Sequence, residues 1–374
     1  MIYLDNSATT RPCGEAVEAV VRALETDYFN PSAAYAPAVR AEEAVTVARR
    51  AVAAALGVPP ETVIFTSGGT EANNAAFFGA ASRGRGGRVL CSAVEHPSVL
   101  EACARQGGAV IPVDRAGLVD REALANMVDE HTSLVSVMQV NNETGAVQDI
   151  EGLCALVKER NPAALFHCDG VQAFQRLSMP RGVDLYTLSG HKVMAPKGVG
   201  ALYVRPGVRL EPFLVGGGQE KNRRSGTENV PAILGLGAAC AAWAREGEAW
   251  RARLRNLRDE LVEALRTRIP DLAFNGQEPG QGAPHILSVS CPGVGAEVLL
   301  HALEGEGILV GNGSACSSRK KRISHVLEAM GTPVAQAKAA IRLSLSPQNT
   351  REEMVQTAEA IARILGRLRR YQRR

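Results

Sequence analysis

Strand-like runs and helical segments alternate along the first 250 residues of this 374-residue chain. A β-branched and aromatic run at 63–65 precedes an alanine-rich helical segment at 70–81, and two further strand-like runs lie at 165–168 and 184–188. Because strands that alternate with helices are covered on both faces, the pattern predicts an α/β fold with a mostly parallel sheet. Beyond residue 250 an arginine-rich helical segment and a few shorter strands predict a second, smaller α/β domain.

The composition excludes several classes of protein. Apolar residues make up 45% and charged residues 22% of the chain, which is typical of a globular protein with a large core. The 42 basic and 39 acidic side chains give a formal net charge of +3, so the overall charge does not indicate nucleic-acid or membrane binding. No apolar run reaches the ~18 residues that a membrane span requires. The eight cysteines, without a signal-peptide pattern before them, are expected to be reduced thiols of a cytoplasmic protein.

A glycine-rich turn after the strand-like run at 63–65 is the first candidate binding site. Ser67-Gly68-Gly69-Thr70 connects this run to a helix N-terminus, where unpaired backbone N–H groups and the helix dipole favour a phosphate. The turn lacks the Gly-Lys-Ser/Thr ending of nucleotide-binding loops. A tight turn without a ligand is the alternative interpretation.

Two more polar groups follow predicted strands of the same sheet. Asp169 ends one strand and precedes Gln172, so its carboxylate could pair with a protonated ring nitrogen, although a helix cap is the alternative. Ser189, His191 and Lys192 follow the next strand, and a lysine there suits a Schiff base with an aldehyde, although most loop lysines are solvated charges. A phosphate turn, a carboxylate and a lysine at the carboxyl ends of strands together predict pyridoxal 5'-phosphate as the cofactor.

Cys316 differs from the other seven cysteines because it lies in a polar stretch rich in glycine and serine. The four cations of Arg319-Lys320-Lys321-Arg322 follow it, and nearby cations lower the pKa of a thiol below its usual ~8.5. A thiolate near an aldehyde cofactor indicates chemistry on the sulfur of a substrate. The basic run could also dock an acidic acceptor protein through long-range attraction, and a merely solvated loop face is the alternative.

Ordered motifs along nearly the whole chain resemble those of the cysteine desulfurases of the NifS and IscS type, which belong to the class V aminotransferase family of fold-type I pyridoxal phosphate enzymes. The motifs that carry the resemblance are Tyr3-Leu4-Asp5-Asn6-Ser7-Ala8-Thr9-Thr10, Phe65-Thr66-Ser67-Gly68-Gly69-Thr70-Glu71, Val94-Glu95-His96-Pro97, Asn141-Asn142-Glu143-Thr144-Gly145, His167-Cys168-Asp169, Ser189-Gly190-His191-Lys192, Arg224-Ser225-Gly226-Thr227-Glu228-Asn229, Gly313-Ser314-Ala315-Cys316 and Ile341-Arg342-Leu343-Ser344. The resemblance implies a large cofactor-binding domain, 15–250, with a mostly parallel seven-stranded sheet. It also implies a small α/β domain formed by 1–14 and 251–374, which carries the loop of the catalytic cysteine.

By this resemblance, Lys192, His96 and Cys316 are the catalytic residues. Lys192 would attach the cofactor covalently, His96 would stack on the cofactor ring, and Cys316 would accept the substrate's sulfur as a persulfide. Arg342, together with Asn142, would bind the substrate carboxylate, for which a guanidinium offers bidentate geometry.

The resemblance implies that residues from several loops hold the cofactor. Asp169 would pair with the pyridine nitrogen, and Gln172 would reach the ring hydroxyl. The residues implied to bind the cofactor are Gly69, Thr70, His96, Asn142, Asp169, Gln172, Ser189, His191, Lys192 and, from the other subunit of a homodimer, Thr227. No resident metal is expected.

The implied activity is the conversion of L-cysteine to L-alanine, with the sulfur passed through the enzyme cysteine to an acceptor protein. Acceptors in this family include iron–sulfur scaffold proteins and enzymes that thiolate transfer RNA, so direct binding of nucleic acid is not expected. A selenocysteine lyase, another class V aminotransferase and a non-enzymatic sulfur-transfer platform are the alternatives. The first would release alanine efficiently only from selenocysteine, the second would not need Cys316, and the third would release no alanine.

Overall fold

The computed structural model describes residues 1–81, 87–312 and 323–372 of the chain. Within these residues the strands are, in chain order, β1 (Ile2–Leu4), β2 (Val63–Thr66), β3 (Arg88–Ser92), β4 (Ala109–Ile111), β5 (Thr132–Ser136), β6 (Leu165–Asp169), β7 (Leu185–Ser189), β8 (Gly200–Val204), β9 (Ala273–Phe274), β10 (Ile286–Ser290), β11 (Ile308–Val310) and β12 (Ala340–Ser344). The α-helices are α1 (Gly14–Glu25), α2 (Ala36–Leu56), α3 (Gly69–Ala81), α4 (Pro97–Arg105), α5 (Arg121–Met127), α6 (Ile150–Arg160), α7 (Gln219–Asn222), α8 (Val230–Arg268), α9 (Ala296–Glu304), α10 (His325–Ala329), α11 (Val334–Lys338) and α12 (Arg351–Gln372). A 3₁₀ turn, Gly190–Lys192, follows β7 directly.

Seven strands form the largest sheet, in the order β2-β8-β7-β6-β5-β3-β4. Only β8 runs against its neighbours, since β7, β6, β5, β3 and β4 pair in parallel and β2 is antiparallel to β8. The predicted α/β fold with a mostly parallel seven-stranded sheet is therefore confirmed. Parallel strands end at one edge of the sheet, and the connections that leave this edge are where a binding site is expected.

Both faces of the central strands are buried, which explains why these segments are continuous apolar runs. Leu165 and Leu185 pack in one hydrophobic cluster, whereas the next residues along the same strands, Phe166 and Tyr186, pack in another. Successive side chains of a strand point to opposite faces, so each strand contributes to both clusters. Helix α3 packs on β7 and β8 from the side of the first cluster, and α2 packs against α8 on the other.

The remaining strands form two small sheets near the C-terminal part of the chain. Strand β1 pairs in parallel with β11, with Ile2 opposite Ile308, and β12, β10 and β9 form an antiparallel sheet in that order. The helix predicted over 251–268 is the second half of α8, which continues unbroken through the domain boundary predicted near residue 250. The division into two domains stays a prediction. None of the described helices is long and apolar enough to cross a membrane.

Candidate active site

The predicted site residues at strand ends meet at the carboxyl edge of the large sheet. Asp169 is the last residue of β6 and Ser189 is the last residue of β7, its parallel neighbour. Lys192 follows in the 3₁₀ turn, and α3 begins at Gly69 after the edge strand β2. The topology of the sheet therefore places the carboxylate, the lysine and the glycine turn side by side.

These residues line one cavity of about 220 Å³. The predicted residues that line it are Gly69, Thr70, His96, Asn142, Asp169, Gln172, Ser189, His191, Lys192 and Arg342. Thr227 lines a different cavity of about 140 Å³, together with Gly198 and Glu228. Cys316 and the basic run at 319–322 lie outside the described residues.

Helix α3 presents its N-terminus to this cavity because Gly69 allows close packing. A Cβ atom at position 69 would lie only 2.9 Å from Cγ2 of Val171, in the loop that follows Asp169. The first N–H groups of a helix have no partner within the helix, and they carry the positive end of its dipole. Gly69 and Thr70 therefore offer an anion site beside the carboxylate of Asp169.

The carboxylate of Asp169 is buried and held by two donors. Asn73 Nδ2 donates to Asp169 Oδ2 at 2.8 Å, and the backbone N–H of Val171 donates to Oδ1 at 2.9 Å. Asn73 is not among the site residues predicted from the sequence, although it lies one turn after Gly69 on the same face of a helix. That spacing is the signal that could have identified it.

The amine of Lys192 is held by the N-terminal segment of the chain. Lys192 Nζ donates to the main-chain oxygen of Ser7 at 2.5 Å and to that of Ala8 at 2.8 Å. Gln172 Nε2 donates to the same Ser7 oxygen at 3.0 Å. The lysine is thus positioned by the carbonyl groups of Ser7 and Ala8, which the sequence analysis names only as members of an N-terminal motif.

His96 enters the cavity as the N-cap of α4. Its Nδ1 accepts the backbone N–H of Ser98 at 3.1 Å, so the neutral ring carries its proton on Nε2. Burial lowers the pKa of His96, and the charges of Lys192 and His325 lower it further against the opposing effect of Asp169. His96 is therefore a neutral ring in the cavity at physiological pH.

His191 is a second neutral histidine in the same cavity. Burial, with the charges of Lys192 and Lys197, lowers its pKa to about 4. Its Nδ1 lies 3.3 Å from the hydroxyl of Thr9. A neutral imidazole at this place can donate one N–H to an anion without adding a charge.

Buried Glu95 precedes His96 and connects the end of β3 to the segment that follows β5. Its Oε1 accepts the hydroxyl of Ser92 and the backbone N–H of Met138, each at 2.6 Å. Burial raises the pKa of Glu95 to about 8, and the negative charge of Asp169 adds to this rise. The carboxyl group that anchors this loop is therefore largely protonated at neutral pH.

Arg342 extends from β12 into the opposite side of the cavity. Its NH1 donates to the main-chain oxygen of Asn142 at 2.9 Å, and its NH2 donates to Asp5 Oδ1 at 2.7 Å. Only 4% of this side chain is exposed. Asp5 is thus a partner of the predicted carboxylate-binding arginine, a contact that the sequence motif gave no reason to expect.

Four residues of the cavity wall each have a buried polar atom without a hydrogen-bond partner in the described part of the chain. These atoms are Ser7 Oγ, Asn73 Oδ1, Gln172 Oε1 and Arg342 Nε. Buried polar atoms of this kind are satisfied by water or by a ligand in most proteins. Together with a carboxylate, an amine and a helix N-terminus, they fit a ligand that combines a phosphate, a ring nitrogen, a carbonyl group and an attached amino acid.

Known proteins match this chain over nearly its whole length. The family described as Aminotransferase class-V matches residues 2–356. The cysteine desulfurase IscS of Methanosarcina thermophila is 40% identical over 378 residues, which cover 98% of this chain and 93% of that protein.

Solved structures give the same result. A NifS-like protein has a TM-score of 0.91 and 35% identity, and the match covers 98% of this chain and 100% of that one. A structure described as SspA in complex with cysteine has a TM-score of 0.80 and 31% identity, covering 94% of this chain and 100% of the other. The large sheet and the C-terminal strands therefore both have counterparts in these proteins.

Proposed function

The chain belongs to the aminotransferase class V family and, within it, to the cysteine desulfurases of the NifS and IscS type, and we propose that it transfers the sulfur of L-cysteine to Cys316 with release of L-alanine. Both families depend on pyridoxal phosphate, so the chain is an enzyme of a pyridoxal-phosphate-dependent family. The observation that carries the proposal is that Lys192, Asp169 and Arg342 line one cavity.

The residues of the cavity suit pyridoxal phosphate group by group. Gly69 and Thr70 at the start of α3, with Ser189 and His191, would bind the phosphate. Asp169 would keep the pyridine nitrogen protonated, because a buried carboxylate fixed by two N–H donors favours a positive partner. The remaining assignments are the ring hydroxyl to Gln172, the ring face to His96 and the covalent bond to Lys192.

The cofactor, when bound, supplies an electron sink for the charge that develops at the α-carbon of the substrate. Lys192 Nζ then takes the α-proton, and the carbonyl groups of Ser7 and Ala8 orient this amine. Arg342 binds the substrate carboxylate with its fixed guanidinium, which sets the direction of the α-carbon. His96 and His191 stay neutral, so they add no positive charge that would compete with Lys192.

Cys316 acts as the sulfur acceptor in this proposal. Its thiolate attacks the sulfur of L-cysteine, the new S–S bond forms, and the C–S bond breaks with its electron pair going to the β-carbon. Protonation of that carbon and the return of a proton to the α-carbon complete L-alanine, and the enzyme holds one additional sulfur atom as a Cys316 persulfide. The cations at 319–322 favour the thiolate through their charge.

The persulfide sulfur is then passed to an acceptor protein, for which iron–sulfur scaffold proteins and transfer-RNA thiolation enzymes are the candidates. The basic run at 319–322 would favour an acidic acceptor surface. We also propose a homodimer in which Thr227 serves the phosphate site of the other subunit. Its position outside the Lys192 cavity supports this, and a fully active monomer in sedimentation would contradict it.

The deciding experiment measures alanine and sulfide released from L-cysteine in the presence of a thiol reductant. Wild type is expected to form both in equal amounts, and Cys316→Ala is expected to lose nearly all of this activity. Cys154→Ala, which removes a buried thiol on α6 away from the cavity, is the matched control and is expected to keep it. Full activity in Cys316→Ala, or alanine from selenocysteine alone, would overturn the proposal.

A further inference from the structure

Arg176 and His285 form a buried polar pair behind the lysine turn. Arg176 lies in the segment after β6 and is 3% exposed, and His285 immediately precedes β10 and is fully buried. Leu177, next to Arg176, packs in one hydrophobic cluster with Ile286, next to His285, and the charge of Arg176 adds to the lowering of the pKa of His285 by burial. Neither residue lines the cavity of Lys192.

Four polar atoms of this pair have no hydrogen-bond partner among the residues that the structure describes. They are Nε and NH1 of Arg176 and both ring nitrogens of His285. Arg176 uses only NH2, which donates to the main-chain oxygen of Lys192 at 2.6 Å. Since a guanidinium carries only donors, the unsatisfied side of this pair requires an acceptor.

The other buried arginines of the described chain show what Arg176 lacks. Arg342 pairs with Asp5 at 2.7 Å, and Arg258 pairs with Asp259 at 2.8 Å. No carboxylate forms an ion pair with Arg176 within residues 1–81, 87–312 and 323–372. Burial lowers the pKa of Arg176 only to about 10, so the side chain stays charged at neutral pH. An unpaired charge in a protein interior is strongly unfavourable.

His167 provides a matched comparison for His285. Both imidazoles are fully buried, but Nδ1 of His167 lies 2.8 Å from the hydroxyl of Ser136 and its Nε2 lies 3.0 Å from the hydroxyl of Thr187. His167 is therefore a core histidine satisfied by the protein. His285 has the same burial without either partner, and its N–H donor remains to be used.

We propose that Arg176 and His285 bind one small monovalent anion, such as chloride, at a buried site between the segment after β6 and the start of β10. The guanidinium contributes one positive charge and the neutral imidazole contributes none, so one negative charge balances the pair. A halide accepts N–H groups from several directions and can take donors from both side chains. Because NH2 of Arg176 holds the carbonyl group of Lys192, the anion also stabilises the turn that carries the lysine.

The direct test is a crystal structure of the cofactor-loaded protein grown with bromide in place of chloride. An anomalous difference peak between Arg176 Nε or NH1 and a ring nitrogen of His285 is expected. Density for ordered water alone at this position, without an anomalous signal, would overturn the proposal. The test does not depend on desulfurase activity.

A solution test compares the melting temperature in sodium chloride and in sodium gluconate at equal ionic strength. Chloride is expected to raise the melting temperature of the wild-type holoenzyme by roughly 2 °C relative to gluconate, because a ligand that binds only the folded state stabilises it. Arg176→Met should fold, since replacing a buried charge by an apolar side chain of similar size is often tolerated. It should show no difference between the two salts.

Two further variants complete this test. Arg258→Met removes an equally buried arginine that has its own carboxylate, and it is expected to keep the chloride effect. His285→Asn retains Arg176 and should reduce the effect without abolishing it. An undiminished chloride effect in Arg176→Met, or its loss in Arg258→Met, would contradict the assignment.

Discussion

The side of the cavity proposed to bind the cofactor, here the cofactor side, takes Asp169, Ser189 and Lys192 from the ends of two adjacent strands. The side proposed to bind the substrate, here the substrate side, takes Asp5 and Arg342 from segments 337 residues apart. The first group is fixed by the hydrogen bonds of one continuous sheet. The second is joined by an isolated backbone bridge between Asp5 and Ser344 of β12, and by side-chain bonds from Arg342 to Asp5 and to the main-chain oxygen of Asn142. Substitutions on the cofactor side should therefore change cofactor retention and stability. Substitutions on the substrate side should change the affinity for the substrate.

The largest effect is expected for Lys192→Ala on the cofactor side. Loss of the amine removes both the covalent attachment and the group that takes the α-proton, so kcat should fall by on the order of 10³-fold or more. The absorbance band of the lysine–cofactor bond should be absent from the purified variant. A variant with unchanged absorbance and activity would show that another group attaches the cofactor.

Arg342→Lys tests the substrate side alone. The lysine keeps the charge but loses the bidentate geometry and the second donor that reaches Asn142, so KM for L-cysteine should rise by about 10- to 100-fold. Cofactor absorbance should stay at the wild-type level, which is the control built into this variant. Loss of the cofactor in Arg342→Lys would mean that the two sides are not independent.

Glu95→Gln should change stability on the cofactor side without changing KM. The folded pKa of Glu95 is about 8, above its usual 4.5, so the folded state retains a proton that the unfolded state releases between these values. Wild-type stability therefore falls as pH rises from about 4.5 to 8 because of this group. The variant has no such group, and its free energy of unfolding should exceed that of wild type by on the order of several kcal/mol at pH 8.5.

Urea unfolding at pH 5.5 and pH 8.5 measures this difference. The advantage of Glu95→Gln should shrink at pH 5.5, because the unfolded wild-type chain gains less free energy there by releasing its Glu95 proton. An advantage that is equal at both pH values would contradict the role of this proton. A raised KM would instead place Glu95 on the substrate side.

Asp5→Asn should have the smallest effect, and its direction is informative. The asparagine oxygen can still accept from Arg342 NH2, but it no longer neutralises the guanidinium charge. The affinity for an amino-acid carboxylate should rise, lowering the inhibition constant of L-alanine by about fivefold. Asp5→Ala, which removes the acceptor as well, is the comparison variant. A higher inhibition constant in Asp5→Asn would show that Asp5 mainly orients Arg342.

The sequence was sufficient to predict the positions of most residues on the cofactor side. A polar residue directly after a buried strand of a parallel sheet lies at the carboxyl edge of that sheet. The fold, the strand ends at Asp169 and Ser189 and the start of α3 follow from local patterns of this kind. Asn73 was missed although its helical spacing from Gly69 was available.

The substrate side could not be derived in the same way, because it depends on pairings between distant segments. Nothing near Asp5 in the sequence indicates Arg342, and nothing near Arg176 indicates His285. Helix α1 also escaped prediction, since its buried positions are the small residues Ala16 and Ala23 while Val17 and Leu24 are exposed. The domain boundary predicted near 250 falls within α8, which continues through Gly247 without a break.

The pairing of β1 with β11 has a consequence for the synthesis of the chain. Strand β1, with Ser7 and Ala8 just behind it, leaves the ribosome long before its partner β11, which lies about 300 residues later in the chain. A nascent chain can complete the large sheet and contain Lys192 about 150 residues before Arg342 is made. The growing polypeptide can thus form the pocket proposed for the cofactor well before it has the arginine proposed to bind the amino-acid carboxylate.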